Sequence, residues 1–473
     1  MLGIASTFVL ARLLLPADYG IVGMAMVVIA FIETLTSMGV DAAIISKPNP
    51  DRADYDTAWT LNAGLGAVLW LLISAAAVPA AQYFQTPDVQ AVLFVLALMP
   101  LIGGLENIGT VDFRRNLQFD RDVLFTLSKK LVALLVTIPL AFLWRNHWAL
   151  VAGMVASRIA GLGLSYIISP YRPLICLVRA REMFHFSKWL LVSNVLLFFR
   201  VRSAELLTGR LHGATALGVF NMSSELATIP SSELVMPINR ALFPGYSQVS
   251  QDPERLRSGF LKALGLVSLL SVPASIGLVV VAEYAVPLLL GGAWLATIPV
   301  IKILALSGVS TALQINNWSV FLAMRRPDVP VLISLVHIAV LVAAMFCFVP
   351  SQGATGAALA HLSAGVASLP LNYLLVQKVL GVRVASVMGV VWRPIASSAA
   401  MFLLVSMLVP DVAPVSKSVQ WLAMRLFETV TLGALVYGAS LLLLWLFSGR
   451  PNSAEWMVLR FVRESQRRLF RKR

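Results

Sequence analysis

The sequence predicts an all-α polytopic membrane protein with about fourteen transmembrane helices. These form two six-helix lobes related by pseudo-two-fold symmetry, with two further helices appended. Three observations predict this. Hydrophobic residues make up 58% of the 473 and charged residues only 13%, with a mean hydropathy of +0.82. Soluble domains average about 45–50% and about 25%. Apolar runs long enough to cross a bilayer recur from end to end. The Lys and Arg residues gather in alternate connections. Such a chain could not keep a soluble surface, which excludes a cytosolic enzyme and excludes disorder.

The elements follow in order. Span 1 is 1–15 and span 2 is 20–40. Met1 to Leu15 is apolar, with no basic leader and no small-residue cleavage site, so it reads as a membrane helix and not a signal peptide. It is shorter than the ~20 residues a full span needs. Lys47 and Arg52 follow span 2. Spans 3 and 4, 58–80 and 88–110, lead to Arg114, Arg115, Arg121, Lys129 and Lys130. Spans 5 and 6, 123–143 and 147–169, lead to Arg172, Arg179, Arg181 and Lys188. Spans 7 and 8, 187–209 and 216–243, lead to Arg255, Arg257 and Lys262. Spans 9 and 10, 259–286 and 294–323, lead to Arg325 and Arg326. Spans 11 and 12, 329–349 and 353–377, lead to Lys378, Arg383 and Arg393. Spans 13 and 14 are 393–410 and 421–447, and a basic tail, 449–473, closes the chain.

Of the 37 basic residues, 27 therefore lie in the tail or after even-numbered spans, and 5 after odd-numbered ones. Cytoplasmic loops carry the excess of Lys and Arg, so both termini are expected in the cytoplasm and the span count is even. The net charge of +14 is topological and implies no nucleic-acid partner. The connections leave no room for a soluble catalytic domain, and an enzyme is not expected. The tail, with Glu455, Arg460, Arg463 and Arg467 beside Phe461 and Leu469, reads either as an amphipathic helix on the inner leaflet or as a solvated topogenic segment.

An internal repeat accompanies this map. Arg12 precedes Gly20 by eight positions at the junction of spans 1 and 2. Arg210 precedes Gly218 by the same interval at the junction of spans 7 and 8, 198 residues later. The implied domains are an N-lobe at 1–170, a C-lobe at 187–377, and helices 13 and 14 at 393–448.

Ionisable groups at bilayer depth cost about 2.5–3.5 kcal/mol on insertion scales and usually face a cavity or a partner. Span 7 carries Arg200, Arg202 and Glu205. Arg202 and Glu205 are i,i+3 neighbours and can neutralise each other. Arg200 has no acidic neighbour on its own helix, so it needs a partner on another helix or an anionic ligand. Arg158, in span 6, is similar: an interhelical ion pair and a ligand are both open. Span 8 carries Glu225, Glu233 and Arg240, together with Pro230 and Pro237, which remove backbone hydrogen bonds and bend a helix. Glu33 in span 2 is a candidate proton or sodium site, or a locally bonded carboxylate. Lys302, in span 10, is shallow enough to snorkel. Cys176 and Cys347 are expected as free thiols. The five histidines never fall at i,i+4 or beside a carboxylate cluster, so no metal site is expected. No Walker A sequence is present, so no ATP and no other cofactor is expected.

Several stretches resemble the Wzx-type oligosaccharide flippases of the polysaccharide transport family, within the multidrug/oligosaccharidyl-lipid/polysaccharide exporter superfamily. They are Leu10-Ala-Arg-Leu-Leu-Leu-Pro-Ala-Asp-Tyr-Gly20, Gly39-Val-Asp-Ala-Ala-Ile-Ile45, Asp56-Thr-Ala-Trp-Thr-Leu-Asn62 and Arg114-Arg-Asn-Leu-Gln-Phe119. Gly209-Arg-Leu-His-Gly213 with Leu217-Gly-Val-Phe220, the run from Ala227 to Gly245, and Gly291-Gly-Ala-Trp294 complete the set. The resemblance implies a bacterial inner-membrane exporter for lipopolysaccharide or exopolysaccharide biosynthesis. Its substrate would be an undecaprenyl-diphosphate-linked oligosaccharide, moved to the periplasmic leaflet by alternating access around a central cavity. A polysaccharide polymerase and a chain-length regulator are implied as partners, with membrane lipid. A guanidinium fork suits a diphosphate. That makes Arg200, Arg202 and Arg158 the expected ligands of the diphosphate or an acidic sugar, and Glu33, Glu225 and Glu233 the ion-coupling candidates. A multidrug extruder or a lipid II flippase of the same superfamily are the rival readings. A membrane glycosyltransferase or polymerase is disfavoured, because the outward loops are short and almost uncharged.

Overall fold

The computed structural model describes residues 2–36, 44–45, 47, 49–180, 188–326, 328–409, 418–451, 453–457 and 460. Fifteen α-helices run through the described residues. They are α1 (Leu2–Leu13), α2 (Pro16–Thr36), α3 (Arg52–Phe84), α4 (Asp88–Leu96), α5 (Leu98–Gly104), α6 (Val111–Arg115), α7 (Phe119–Trp144) and α8 (Trp148–Ile168). After these come α9 (Lys188–Ile229), α10 (Met236–Gln248), α11 (Pro253–Leu289), α12 (Thr297–Ala323), α13 (Asp328–Leu380), α14 (Val384–Leu408) and α15 (Val419–Phe447). Most of the basic tail, and the stretch Gly39–Ile45 except for its last two residues, lie outside the described residues.

Among the described residues, nine of these helices are each long and apolar enough to cross a bilayer. The pair formed by α4–α5 and the turn with α6 adds a tenth span, bent by 70°. Gly213 (φ 73°, ψ −171°) breaks α9 and Gly353 (φ 56°, ψ −126°) breaks α13, so each is two helical segments. Positive φ costs glycine little, which is why the chain turns at these positions. The fifteen helices are consistent with the expectation of about fourteen spans. Pro230 and Pro237 act as anticipated: residues Pro230–Val235 form a π-helical turn between α9 and α10. The hydroxyls of Ser231 and Ser232 donate to the carbonyls of Thr228 (2.8 Å) and Ile229 (3.3 Å) within and beside this turn.

Backbone breaks repeat along the chain. Left-handed residues terminate helices at Gln85, Leu117 and Arg145, and again, in the same order and at similar spacing, at Gly291, Arg325 and Gly353. The first three and Arg325 are not glycines. Each accepts the strain of that conformation, roughly 1–2 kcal/mol, at an exposed position.

The chain divides into two compact units, residues 1–221 and 222–473. In the first, Met24, Ala25, Ile73, Val92, Leu93 and Leu217 build the main apolar core from α2, α3, α4 and α9. The turn between α1 and α2 packs directly on the break in α9. A Cβ on Gly20 would strike the carbonyl of Ala214, and a Cβ on Gly218 would strike the carbonyl of Pro16. The repeat offset of 198 maps Pro16 onto Ala214 and Gly20 onto Gly218, so the two contacts are reciprocal, as a local two-fold requires. Gly23 meets its own counterpart, Asn221, whose Nδ2 lies 2.5 Å from where a Cβ on Gly23 would stand. In the second unit, Phe260, Leu264, Phe321 and Val376 form the core between α11, α12 and α13. Tyr284, Met401, Val405 and Leu422 bind α14 and α15 to α11.

Candidate functional site

The charged residues inside the first unit sit on α2, α3, α7, α8 and α9 and in the bend between α5 and α6. α2 and the first half of α9 are clamped by Phe31 against Phe198, with ring centroids 5.2 Å apart. Glu33 and Arg200 lie close to that clamp, one on each helix. Glu33 is exposed, and the hydroxyls of Thr34 and Thr36 turn back onto the α2 carbonyls of Ala30 (2.6 Å) and Ile32 (2.9 Å). Arg200 is half-buried, and among the described residues no hydrogen bond or ion pair reaches it. Arg202 does pair with Glu205, at 2.7 and 2.9 Å, as the i,i+3 spacing predicts, and Glu205 is buried. Arg158 of α8 is half-buried, and its field reaches Glu33 on α2 without an ion-pair contact between them.

Glu225 and Glu233 are both exposed, Glu233 within the π turn. The structure describes the backbone of Arg240 and leaves its side chain aside. Lys302 departs from the expectation of snorkelling: it pairs with Glu283 of α11 at 2.5 Å, which neutralises it in place. Cys176 and Cys347 are free thiols. Among the described residues no group of three His, Cys, Asp or Glu is placed to hold a metal.

Sequence reasoning missed four groups. The first is the bend between α5 and α6. There the backbone leaves helical geometry, and side chains satisfy it: Ser165 Oγ accepts from the Asn107 N–H (2.9 Å), while Tyr166 and Trp59 donate to the Leu105 carbonyl (3.1 and 3.4 Å). Non-helical backbone at membrane depth survives only with such partners. Glu106 stands in this bend, its Oε2 3.6 Å from Lys129 Nζ of α7. The glycines 103, 104 and 109 flanking it were the available signal.

The second group is built around Asp56 and Thr60 of α3. The extended segment 169–177 lies along the first turns of α3. The Asp56 carboxylate accepts from the Leu174 N–H (3.0 Å) and from the Tyr171 hydroxyl, and Thr60 Oγ1 accepts from the Cys176 N–H (3.0 Å). Burial first, then the bond to Asp56, push the Tyr171 phenol well above the usual tyrosine range. The helix start itself is fixed by a capping box between Asp51 and Asp54. The third group is an uncharged network in the second unit. Asn317 Nδ2 donates to Asn372 Oδ1 (2.7 Å), and Gln314 Oε1 accepts from Asn372 Nδ2 (3.0 Å) and Ser368 Oγ (3.1 Å). The fourth is the buried pair of Arg393 with Glu455 at 2.8 Å. It places Arg393 inside α14, where the sequence reading had a loop residue.

Comparison with known proteins follows from this geometry. Residues 9–299 match the family model described as polysaccharide biosynthesis protein. A second model, described as lipid II flippase MurJ, matches residues 208–431. The lipopolysaccharide biosynthesis protein WzxC of Escherichia coli (strain K12) is 25% identical over 83% of this chain and 81% of its own. The succinoglycan biosynthesis transport protein ExoT of Rhizobium meliloti (strain 1021) is 25% identical over 63% of this chain and 61% of its own. In fold the chain is similar to the lipid II flippase MurJ in an inward closed conformation, with a TM-score of 0.71, 12% identity, and coverage of 93% and 97%. It is also similar to an inward-facing multidrug resistance transporter of the MATE family, with a TM-score of 0.57 and 13% identity over 80% of this chain and 94% of that one. A family model that spans well over half of the sequence, on a flippase-like membrane fold, decides the assignment: the chain belongs to the polysaccharide biosynthesis protein family.

Proposed function

We propose that this protein is a flippase. It moves an undecaprenyl-diphosphate-linked oligosaccharide from the cytoplasmic to the periplasmic leaflet of a bacterial inner membrane, by alternating access. The names of its relatives support the class of cargo. One observation carries the site: Arg200, half-buried in a membrane helix, has no hydrogen bond or ion pair among the described residues. A buried guanidinium without a protein anion is costly. A lipid diphosphate supplies the missing charge, and the fork supplies two parallel donors.

Arg158 is the second ligand in this reading, held in reserve by Glu33 until the anion arrives. Arg202 is the weaker ligand, because Glu205 already occupies it. Glu33 is the first coupling carboxylate, with Glu225 and Glu233 behind it. Both termini face the cytoplasm. The polymerase and the chain-length regulator receive the product in the periplasmic leaflet. The chain itself performs no bond chemistry.

The test is complementation of a strain lacking its own flippase. Arg200→Ala is expected to lose about 1.5–3 kcal/mol of anion binding, roughly ten- to hundredfold in affinity, with a matching fall in polymer. Arg200→Lys keeps the charge without the fork and should fall between. Wild-type polymer from Arg200→Ala at equal abundance would remove Arg200 from the site. The lipid II reading has support of its own in the second family model, and rescue of a lipid II flippase depletion would favour it.

A further inference from the structure

We propose that α12 is built to bend near Leu313, as its counterpart span in the first unit does, and that the straight helix of this structure is one of two states it adopts. That the bend accompanies transport rests on the flippase reading above, whereas the bend itself does not.

The repeat puts the two spans in register. Left-handed residues at Gln85 and Leu117 bracket α4, α5 and α6, and those at Gly291 and Arg325 bracket α12. Leu117 stands 208 positions before Arg325, and by the same interval Leu105 corresponds to Leu313, Glu106 to Gln314 and Lys129 to His337. The pair Ser165-Tyr166 of α8 corresponds, one position closer, to Asn372-Tyr373 of α13. These counterparts are used alike within each unit. Tyr166 donates to the Leu105 carbonyl at 3.1 Å, and Tyr373 donates to the Leu313 carbonyl at 2.6 Å. The residue before each tyrosine also reaches the facing span. Ser165 Oγ accepts from the Asn107 N–H at 2.9 Å, while Asn372 accepts from Asn317 at 2.7 Å and donates to Gln314 at 3.0 Å. Glu106 faces Lys129 at 3.6 Å, and the Ser368 hydroxyl stands between Gln314 Oε1 (3.1 Å) and His337 Nδ1 (3.5 Å).

The backbone between these side chains is what differs. In the first unit the helix is broken there, and its two arms meet at 70°. The N–H of Gly109, which an unbroken helix would give to the Leu105 carbonyl, goes instead to Asn107 Oδ1 at 2.9 Å. In the second unit α12 runs from Thr297 to Ala323 without interruption. The Leu313 carbonyl therefore has the Asn317 N–H as its helical partner and the Tyr373 hydroxyl as an additional donor. A side chain inserted into the helical ladder is an established cause of a kink. Asn317 completes the device. Its Nδ2 is held by Asn372, but its Oδ1 is buried and meets no donor. An asparagine oxygen readily accepts from the N–H two residues on, as Asn107 does from Gly109. In a straight α12 the corresponding N–H, of Ser319, is committed to the Ile315 carbonyl. Unwinding one turn from Leu313 frees it, and Asn317 Oδ1 is in place to take it. Tyr373 then holds the Leu313 carbonyl, as Tyr166 holds that of Leu105. The straight helix leaves one buried acceptor empty, and the bent one fills it while keeping the freed backbone partnered at membrane depth.

The experiment uses the full chain in nanodiscs, with Cys176 and Cys347 replaced by serine and spin labels on Ala296→Cys and Arg326→Cys, at the two ends of α12. A straight α12 is about 40 Å long, and a 70° bend near Leu313 shortens it by about 6 Å. Electron–electron distance measurement should give two populations separated by about that amount. Tyr373→Phe removes the additional donor and leaves the helical bond of the Leu313 carbonyl intact, so it should lose most of the shorter population. Hydrogen exchange of the wild type reads the same device without any variant: amides 316–319 should exchange faster than amides 300–310 of the same helix. A single distance in the wild type, with and without a lipid-diphosphate oligosaccharide, overturns the proposal, and so does uniform protection along α12. Unchanged populations in Tyr373→Phe overturn it as well; if that variant does not fold, the exchange pattern decides. In proteoliposomes Tyr373→Phe should slow transport of the lipid-diphosphate oligosaccharide in proportion to the bent fraction it loses. Unchanged transport with the shorter distance lost overturns the coupling to transport. A wild type that moves no such lipid defeats the flippase reading, while the distances still decide the bend.

Discussion

Asp56 illustrates how much one side chain can organise. It sits on the second turn of α3, almost fully buried, and accepts from both the Tyr171 hydroxyl and the Leu174 N–H. Two donors to one carboxylate hold segment 169–177 against the first turns of α3. Removing the hydroxyl by Tyr171→Phe should cost about 1.5–3 kcal/mol, the range for a hydrogen bond to a charged group. The pH dependence has a fixed sign. Because the folded state raises the Tyr171 phenol, its stabilisation is complete below the unfolded tyrosine value of about 10 and is lost as pH rises beyond it. Thermal melts of wild type and Tyr171→Phe should therefore converge above about pH 10 and stay apart below it. A constant difference at all pH values would place the effect elsewhere. Cys176 offers a second readout, since Thr57 donates to its sulfur at 3.7 Å. Thiol labelling at neutral pH should quicken in Tyr171→Phe when Cys347 is replaced by serine.

At the level of elements, the interval that suggested a repeat was legible in advance, whereas the packing of α2 on α9 was not. The Arg-to-Gly interval at 12–20 and 210–218 marked two equivalent turns, and in the structure these turns contact each other reciprocally. The span positions were legible too, because apolar length and alternating basic connections are properties of the sequence itself. Glu106 was not legible. An acidic residue near the end of an apolar run reads as the edge of a loop, and only the donors on α3 and α8 turn that position into a supported bend. Arg158 was half legible: its place within a span was plain, but Glu33, which its field reaches, is on a helix more than a hundred positions away. Backbone approach at the crossing gives a direct prediction. In Gly20→Ala and Gly218→Ala the new Cβ meets backbone carbonyls, which cannot rotate away, so each should lose roughly 1–3 kcal/mol or more. Gly64 lies within α3 with nothing within 4 Å of its added Cβ. Gly64→Ala should be neutral or gain up to about 1 kcal/mol of helix propensity. Thermal unfolding of the three variants in one detergent measures the contrast, and equal melting temperatures would mean that the crossing yields.

Across the whole chain, the distribution of charge and the pattern of breaks point to one topology. Left-handed turns recur at Gln85, Leu117 and Arg145 and again at Gly291, Arg325 and Gly353, so the two halves of the sequence break at matching places. Basic residues cluster at the Leu117 and Arg325 turns and avoid the matching turns on either side, apart from Arg145. By the positive-inside rule, the Leu117 and Arg325 turns are expected in the cytoplasm and those at Arg145 and Gly353 outside. The repeat then requires each pair of matched turns to lie on the same side, which is the arrangement of two halves with parallel topology. Reporter fusions test this directly. Alkaline phosphatase should be inactive when fused after Leu117 or Arg325 and active after Arg145 or Gly353. A fluorescent protein should fold and shine when fused after Arg473. Opposite activity at the two members of a pair would break the repeat, because no parallel pair of halves can put Arg145 and Gly353 on different sides. Replacing Arg114, Arg115 and Arg121 together should weaken orientation locally without inverting the chain, since the remaining basic connections and the tail still hold the same side.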